Sequence, residues 1–497
     1  MKLSSSAQMR EIDRHIIEDL GVPGSVLMAA AAKHVAMAAL ELLPEGGRAA
    51  VVCGTGNNGG DGIGAAAHLL EHGVTVRTFL VGPEEKLTPD SQVMLDQLRA
   101  LGGKLEIFGK AADVEQYLAG CDVIIDALFG TGLHRDLCGD ALAAVGMINN
   151  SPARTVSADI ASGVCADIGR VLGGAVDADM TVTFSLAKPG HFVEPGCIHR
   201  GTLRVCDIGI PADIIEAAAP YAHVVMPEDI SLPRRRPDTH KGDYGRCLII
   251  AGSVGYTGAA ALSARAATRM GAGLVSVGVP EEIYEIMAAK LDEEMPFPIH
   301  SVPDLLRRAN ECDACLIGPG LGRRPEVAEL VRAALRTVKT PVILDADGIN
   351  AIAENIDVLD EAACPLILTP HPGEFARLGG DLSSGDRLGA AREFAQKRGC
   401  ILVLKGHRTI TAMPDGSAYI NTTGGPAMAK GGSGDVLAGM ITALVGQKFP
   451  IKDAVLAAVY LHGLAGDMCA DEYGEYSVTA GDIIRRLPTA VKKVTER

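Results

Sequence analysis

The chain has 497 residues, 47% of them apolar, and a formal net charge of −15. That length exceeds one ordinary core and predicts two or three domains, and 59 glycines suit α/β layers joined by tight turns. The acidic balance argues against duplex DNA or RNA, whose phosphates need a basic partner surface. The absence of tryptophan and the low aromatic content remove the stacking platforms of single-strand binders. Local nucleotide binding through backbone amides stays open.

Twelve cysteines without a short disulfide framework fit a reducing compartment, so a cytoplasmic location is expected. The single C-x-x-C, Cys312 to Cys315, reads either as a metal or redox pair or as two thiols entering a buried strand. With no second pair beside it, the strand reading is favoured. The first twenty residues meet charge by Arg10, so no signal peptide is expected. No membrane span is expected either, because Lys33 and His34 interrupt the apolar run from Val26 to Leu40.

In chain order, Met9, Ile12, Ile16 and Leu20 recur at helical spacing and predict an opening amphipathic helix. "RAAVVCG" reads as a buried strand and "GIGAAAHLLEHG" as the helix after it. "VTVRTFLVG", "DVIIDALFG", "RTVSADI", "TVTFSL" and "LRVCDIGI" continue an alternation that predicts a mainly parallel sheet covered on both faces. The rhythm falters between Pro211 and Lys241, and a domain boundary is placed near Pro227. The "RRR" at 234–236 reads as a solvated linker face rather than a binding patch. A second α/β series follows, with strands at "RCLIIAG", "GLVSVGVP", "ACLIGPG", "PVILDAD", "PLILTP" and "CILVLKG". Its helices are predicted at Ala259–Met270, Pro325–Val338 and Gly434–Val445.

Two glycine-rich loops each carry an acid. The first, "GTGNNGGDG" at 54–62, matches a dinucleotide fingerprint, but the next strand ends without the expected ribose-binding acid. It offers instead the side-chain oxygens of Asn57, Asn58 and Asp61, which suit a hard cation, sugar hydroxyls or amide nitrogens. Asp126 in "DALFGTGLHRD", and Asp159 with Ser162 in "ADIASG", close two further strands. Each aspartate alone reads equally as a helix cap; three such loops at strand ends favour a site.

Together "GTGNNGGDG", "DALFGTGL", "DIASGVCADIG" and "TVTFSLAKPG" resemble the NAD(P)H-hydrate epimerase domain. The resemblance spans residues 1–227 and implies a Rossmann-like three-layer αβα fold. It implies that Asn58, Asp126 and Ser162 hold a potassium ion, and that Asp159 is the acid–base group inverting the hydroxylated C6 of the hydrated nicotinamide. Asn57, Asn58, Gly59, Gly60 and Asp61, the run Gly130, Thr131, Gly132, Leu133, His134, Arg135 and Asp136, and Asp159 would contact that substrate. Two positions depart from the pattern: Ala161 stands where proline is expected before Ser162, and Cys165 where asparagine is expected.

The second loop, "GGSGDVLAG", places free amides at a helix N-terminus beginning near Gly434, a hole for charge developing on phosphoryl oxygens. Asp435 beside it can take a proton from a substrate hydroxyl; alone, it reads equally as a stabilising N-terminal acid. Lys405 and Arg408 in "LKGHRT" are available for phosphate, and His371 sits between prolines in "TPHPGE". With "HKGDYG", "GPGLG", "LDADGIN" and "AMAKGGSGDVLAG", the segment 228–497 resembles the ADP-dependent NAD(P)H-hydrate dehydratases of the ribokinase-like superfamily. The resemblance implies hydrate contacts from Ala259, Gly322, His371 and Asp435. It implies nucleotide contacts from Lys405, Gly406, His407, Arg408, Thr409 and Gly434, with Mg²⁺ and ADP as cofactor and co-substrate. Gly425 stands where asparagine is expected.

The combined expectation is a bifunctional enzyme that epimerises NAD(P)H hydrate and dehydrates the S form, producing AMP and phosphate. It is read as free of nucleic-acid polymers and membranes, with a homo-oligomer, preferably a tetramer, implied. Two alternatives stand beside it. One is a hydroxymethylpyrimidine- or hydroxyethylthiazole-type kinase, whose phosphorylated product would be stable. The other makes the N-terminal half a non-catalytic binding module, against which Asn58, Asp126 and Asp159 speak.

Overall fold

A computed structural model describes residues 1–110 and 113–496. The chain divides into two compact units, Lys2–Ala222 and His223–Arg497.

In the first unit the strands are β1 (Arg48–Cys53), β2 (Thr75–Leu80), β3 (Leu105–Ile107), β4 (Val123–Ala127), β5 (Arg154–Ala158), β6 (Met180–Phe184) and β7 (Thr202–Cys206). They form one parallel sheet in the order β3-β2-β1-β4-β5-β6-β7. Alternate residues feed opposite faces, as the two-residue strand period demands. Ala49, Val51 and Cys53 enter one apolar cluster, with Val35, Ile63 and Leu95 of the covering helices. Ala50 and Val52 enter the other, with Leu118, Val145 and Ile148. The three-layer αβα expectation holds.

Three sequence expectations change here. The helix after β1, α3 (Asn57–Glu71), begins at Asn57 rather than at Gly62, so the acidic "loop" is its first turn. The opening helix α1 (Ser6–Arg14) buries Met9 and Ile12, but a π-helical turn at His15–Asp19 follows. Its extra residue per turn rotates the face, so Ile16 stays buried and Leu20 is exposed. The third concerns α2 (Gly24–Leu42), which by length and composition alone is apolar enough to cross a membrane, contrary to expectation. Lys33 and His34 are two polar side chains on a 19-residue helix and do not lower its mean hydropathy enough. Its Met28, Ala31, Val35, Ala38 and Ala39 instead pack into the cluster beneath the sheet.

The second unit contains β8 (Arg246–Ile250), β9 (Leu274–Val279), β10 (Met295–Pro298), β11 (Ala314–Ile317), β12 (Val342–Leu344), β13 (Leu366–Leu368), β14 (Ile401–Leu404), β15 (Ile410–Ala412) and β16 (Ala418–Ile420). Their order is β16-β15-β14-β13-β12-β11-β8-β9-β10, parallel except for the antiparallel β14-β15-β16 edge. Cys315 enters β11 fully buried, and burial pushes its thiol well above the ordinary range and Cys312 up to about 11. Cys315 therefore belongs to the strand, while Cys312 sits half-buried in the turn just before it. Of the linker arginines, Arg235 lies 3.7 Å over the Tyr244 ring and donates to the Gly271 carbonyl, while Arg236 pairs with Asp238.

One core holds this unit together. It contains α4 (Thr257–Arg269), α5 (Ser433–Gly446) and α6 (Ile451–Tyr473). Val436 to Gly446 of α5 are all buried. A Cβ at Gly439 would collide with the Ser263 carbonyl of α4, so glycine sets how closely these helices approach. Gly439→Ala is expected to cost about 1–3 kcal/mol of this unit's stability by overpacking, read as a lowered thermal midpoint.

Candidate functional site

In parallel sheets, side chains at the carboxyl ends of neighbouring strands converge. In the first unit the ends of β1, β4, β5 and β6 adjoin and open on a cavity of about 580 Å³. Asn57, Asn58, Asp61, Gly130, Thr131, Gly132, Leu133 and Asp159 line it, as expected. Gly59 and Gly60, buried in the first turn of α3, do not appear in its lining, nor do the exposed His134, Arg135 and Asp136, of which Asp136 lies 3.7 Å from Arg170. A Cβ at Gly59 would strike the Gly54 carbonyl, which is why the first turn of α3 can fold so tightly onto β1. A Cβ at Gly130 would lie 3.1 Å from Asp159 Oδ2 and 3.2 Å from Asn58 Oδ1. Both polar atoms therefore face one narrow passage.

Asp159 adopts a left-handed φ of 64°, unusual for a residue with a side chain. Its amide donates to Val182 O at 2.7 Å. Its Oδ1 accepts from Lys188 Nζ at 2.5 Å and from Thr183 Oγ1 at 3.0 Å. Burial opposes the charged form, but the Lys188 ammonium, with the smaller contributions of His191 and Thr183, outweighs it and holds the Asp159 carboxyl below its ordinary value. Lys188 itself is only 2% exposed, so the pair is screened little by solvent.

Two further acids face this pair. Asp61 is 9% exposed; burial, then the charges of Asp159 and Asp13, push it well above the carboxylate range against the pull of Lys188. Asp13 on α1 also lines the cavity and is raised to about 6, chiefly by burial. An acid is thus tolerated in the glycine-rich turn because its surroundings favour the uncharged form.

Asp126 and Ser162 are fully buried. Asp126 Oδ2 accepts from Ser157 Oγ at 2.7 Å and from the Ser162 amide at 2.9 Å. Ser162 Oγ accepts from the Phe129 amide and donates to its carbonyl. Both polar atoms of the Asn58 carboxamide are buried without a protein partner.

Sequence reasoning missed Lys188 and Asp13. The signals were a lysine just beyond an apolar strand in "TVTFSLAKPG", and an aspartate four residues after Met9 on the apolar side of an amphipathic helix.

In the second unit the ends of β8, β11, β12, β13 and β14 adjoin, and Gly322, His371 and Lys405 follow three of them. Lys405, just past β14, is 19% exposed; its Nζ donates to Asp345 Oδ1 at 2.7 Å and lies 3.9 Å from Glu374. Burial would lower the lysine, but these two acids outweigh it and raise it above its ordinary value. A Cβ at Gly434 would lie 3.3 Å from Lys405 Nζ, so the lysine faces the first turn of α5. Asp435 in that turn is raised to about 7 by burial and by Asp345, against Lys405 and with a smaller push from Asp347. Gly322 donates its amide to Asp347 Oδ2 at 2.9 Å. The neighbouring Gly320 approaches Ala259, whose Cβ would be 3.1 Å from an added methyl. Ala259, Gly322, Lys405, Gly434 and Asp435 therefore belong to one linked set.

Two expected residues are occupied otherwise. His371 caps the helix Pro372–Arg377, its Nδ1 accepting from the Gly373 and Glu374 amides. That leaves Nε2, 3.4 Å from Glu374, as its other polar atom. Arg408, at a φ of 58°, donates to the Thr422 carbonyl at 2.8 Å and so braces the neighbouring loop. Thr409 Oγ1 donates to Gly406 O. Asp345, which anchors Lys405 and also accepts from Thr369 Oγ1 at 2.7 Å, was overlooked, although "LDADG" places an acid directly after an apolar strand.

Comparison with known proteins matches residues 247–489 to the NAD(P)H-hydrate dehydratase family model and residues 24–190 to the YjeF-related protein N-terminus. The bifunctional NAD(P)H-hydrate repair enzyme Nnr of Moorella thermoacetica is 40% identical over 100% of this chain and 98% of its own length. The chain belongs to the bifunctional NAD(P)H-hydrate repair enzyme family. A ribokinase-like superfamily protein of Enterococcus faecalis, solved by crystallography, shares 29% identity over 56% of this chain and 97% of its own, with a TM-score of 0.50. The ADP/ATP-dependent NAD(P)H-hydrate dehydratase of Bacillus subtilis, co-crystallised with ATP and Mg²⁺, shares 35% identity over 55% of this chain and 98% of its own, with a TM-score of 0.49.

Where this member of the repair-enzyme family departs from the expected pattern at Ala161, a neighbouring contact substitutes. Ala161 lacks proline's fixed φ, but the bond from the Ser162 amide to Asp126 fixes the same turn. At Gly425 a Cβ would lie 3.7 Å from Asp467 Oδ1, ordinary van der Waals contact, so the site has room for a side chain that this chain does not use.

Proposed function

We propose that this chain repairs hydrated nicotinamide nucleotides. Residues 1–227 would exchange the R and S epimers of NAD(P)H hydrate, and residues 228–497 would dehydrate the S form with ADP, giving NAD(P)H, AMP and phosphate. The observation that carries the reading is Asp435. It lies in the first turn of a glycine-led helix beside Lys405, and a carboxylate raised to about 7 is poised for proton uptake near neutral pH.

In the dehydratase reaction, Asp435 accepts the C6 hydroxyl proton as that oxygen attacks the terminal phosphorus of ADP. The P–O bond to AMP breaks and AMP leaves with the electron pair. Phosphate then departs from C6 and a proton from C5, restoring the ring double bond. Phosphate leaves far more readily than hydroxide, which is what a kinase scaffold contributes to a dehydration. Lys405 and the α5 amides would stabilise charge on the transferring group, and Mg²⁺, when bound, would neutralise it further. Asp345 and Asp435 supply carboxylate oxygens near Lys405; among the described residues no three acidic, histidine or cysteine side chains converge to hold an ion by themselves, so Mg²⁺ would take ligands from the nucleotide phosphates as well.

In the epimerase cavity Asp159 would be the acid–base group, with Oδ1 held by Lys188 and Oδ2 toward the passage beside Gly130. A potassium ion bound by Asn58, Asp126 and Ser162 is supported by donor chemistry. All three offer oxygens, and the Asn58 oxygen is buried without a partner. A reducing, cytoplasmic setting is supported by the twelve free cysteines.

The test is incubation with a mixed-epimer hydrate, Mg²⁺ and either ADP or ATP, following NADH absorbance. Full recovery is expected; recovery halting at one epimer's share would show a silent first unit, and a stable phosphorylated product would show a simple kinase. Asp345→Asn is expected to raise the KM for ADP roughly 10-fold by freeing Lys405 from its charged partner, measured in the same assay.

A further inference from the structure

The helix α5 starts on Gly432 at a φ of 92° with no side-chain cap, so its first turn depends on what packs behind it. Behind it runs α6, buried from Ala454 to Gly463. The Tyr460 carbonyl accepts from Thr423 Oγ1 at 2.8 Å, and Asp467 Oδ2 accepts from the Gly424 amide at 2.9 Å. A Cβ at Gly463 would collide with Thr423, so the 421–424 loop lies directly on this helix. Arg408 donates to Thr422 in that loop.

Between these contacts His462, 8% exposed, places Nε2 3.3 Å from Ser433 Oγ in the first turn of α5. Burial lowers the imidazole to about 4, with a bond to the Ser433 backbone opposing and the Lys405 charge assisting. It therefore meets Ser433 as a neutral ring and adds no charge beside the phosphoryl group.

We propose that His462 is a positioning residue for phosphoryl transfer, fixing through Ser433 the turn that presents the Gly434 amide and the Asp435 carboxylate. The inference rests on the dehydratase reading of this site. Displacing a reacting group by about 1 Å can cost ~10²-fold in rate, and the His462–Ser433 contact ties this turn to α6.

The experiment compares His462→Ala, Ser433→Ala, the double variant and His462→Gln in the full-length protein. Glutamine places an amide atom near the position of Nε2. His462→Ala and Ser433→Ala are each expected to lower kcat about 10- to 100-fold, with KM for ADP changed no more than about 3-fold. The double variant should be no slower than the worse single one, and His462→Gln should recover most of kcat. Hydrogen exchange at the Val436 amide, which donates to Gly432 O at 3.1 Å, should quicken roughly 10-fold in both alanine variants and not in His462→Gln. Wild-type kcat in His462→Ala, additive losses in the double variant, or unchanged Val436 exchange would each overturn the proposal. A lowered thermal midpoint with unchanged kcat would also overturn it, because His462 would then be structural only. If the wild-type protein lacked nucleotide-driven dehydration, the reading of the site would fall, while Val436 exchange would still decide whether His462 holds the turn.

Discussion

Asp435→Asn is expected to lower nucleotide-driven recovery of NADH absorbance by about 10³-fold in kcat, since an amide cannot accept the hydroxyl proton. The change is nearly isosteric, so ADP should still bind and the loss should appear in kcat rather than KM. In the unaltered enzyme the activity should rise with pH through about 7, where Asp435 loses its proton. The sign for stability is opposite. The folded-state value is raised above 3.8, so between those values the folded protein binds more protons than the unfolded chain. Stability from this group therefore falls as pH rises through the window. The carboxamide of the Asp435→Asn variant carries no charge to bury, so that variant should melt higher at pH 8, by ~2–4 °C if about 1 kcal/mol is recovered. An inactive and more stable variant is the signature of a strained catalytic acid; full activity would sink the mechanism.

Asp159→Ala should lower epimer exchange by about 10²–10⁴-fold while the S form supplied directly is dehydrated at the normal rate. Nuclear magnetic resonance of the R and S hydrates, without ADP, reads the exchange directly. Lys188→Met tests what holds Asp159 ionised. With the ammonium gone, burial is left as the larger influence and the Asp159 carboxyl rises. The acid limb of the exchange rate should then move to higher pH. An unmoved limb would show that Asp159 is not the group whose ionisation the rate reports. Exchange at the normal rate in Asp159→Ala would leave the first unit a binding module.

Much of this was legible in the amino-acid order. Apolar runs such as "RAAVVCG" and "PVILDAD" lie between glycine-rich turns, and a parallel strand buried on both faces has no other composition available. Acids placed just after those runs, such as Asp159 and Asp126, marked the strand ends where a parallel sheet gathers its ligands. Glycines before Asp61 and Asp435 announced backbones free to approach closely. What the order did not contain was who stands beside whom. Lys188 is one lysine among many until folding sets it 2.5 Å from Asp159. Asp345 becomes an anchor only when β12 and β14 bring it to Lys405. Arg408 also braces the neighbouring loop through the Thr422 carbonyl, a contact its place in "LKGHRT" did not announce. Leu20 left the apolar face because a π turn intervened, a change of phase that periodicity does not encode. Local pattern fixed the elements, because periodicity and turn chemistry act over a few residues. The charges of Asp61, Asp159 and Asp435 were decided by tertiary structure, because burial and a partner from a distant strand set the energy of a carboxylate.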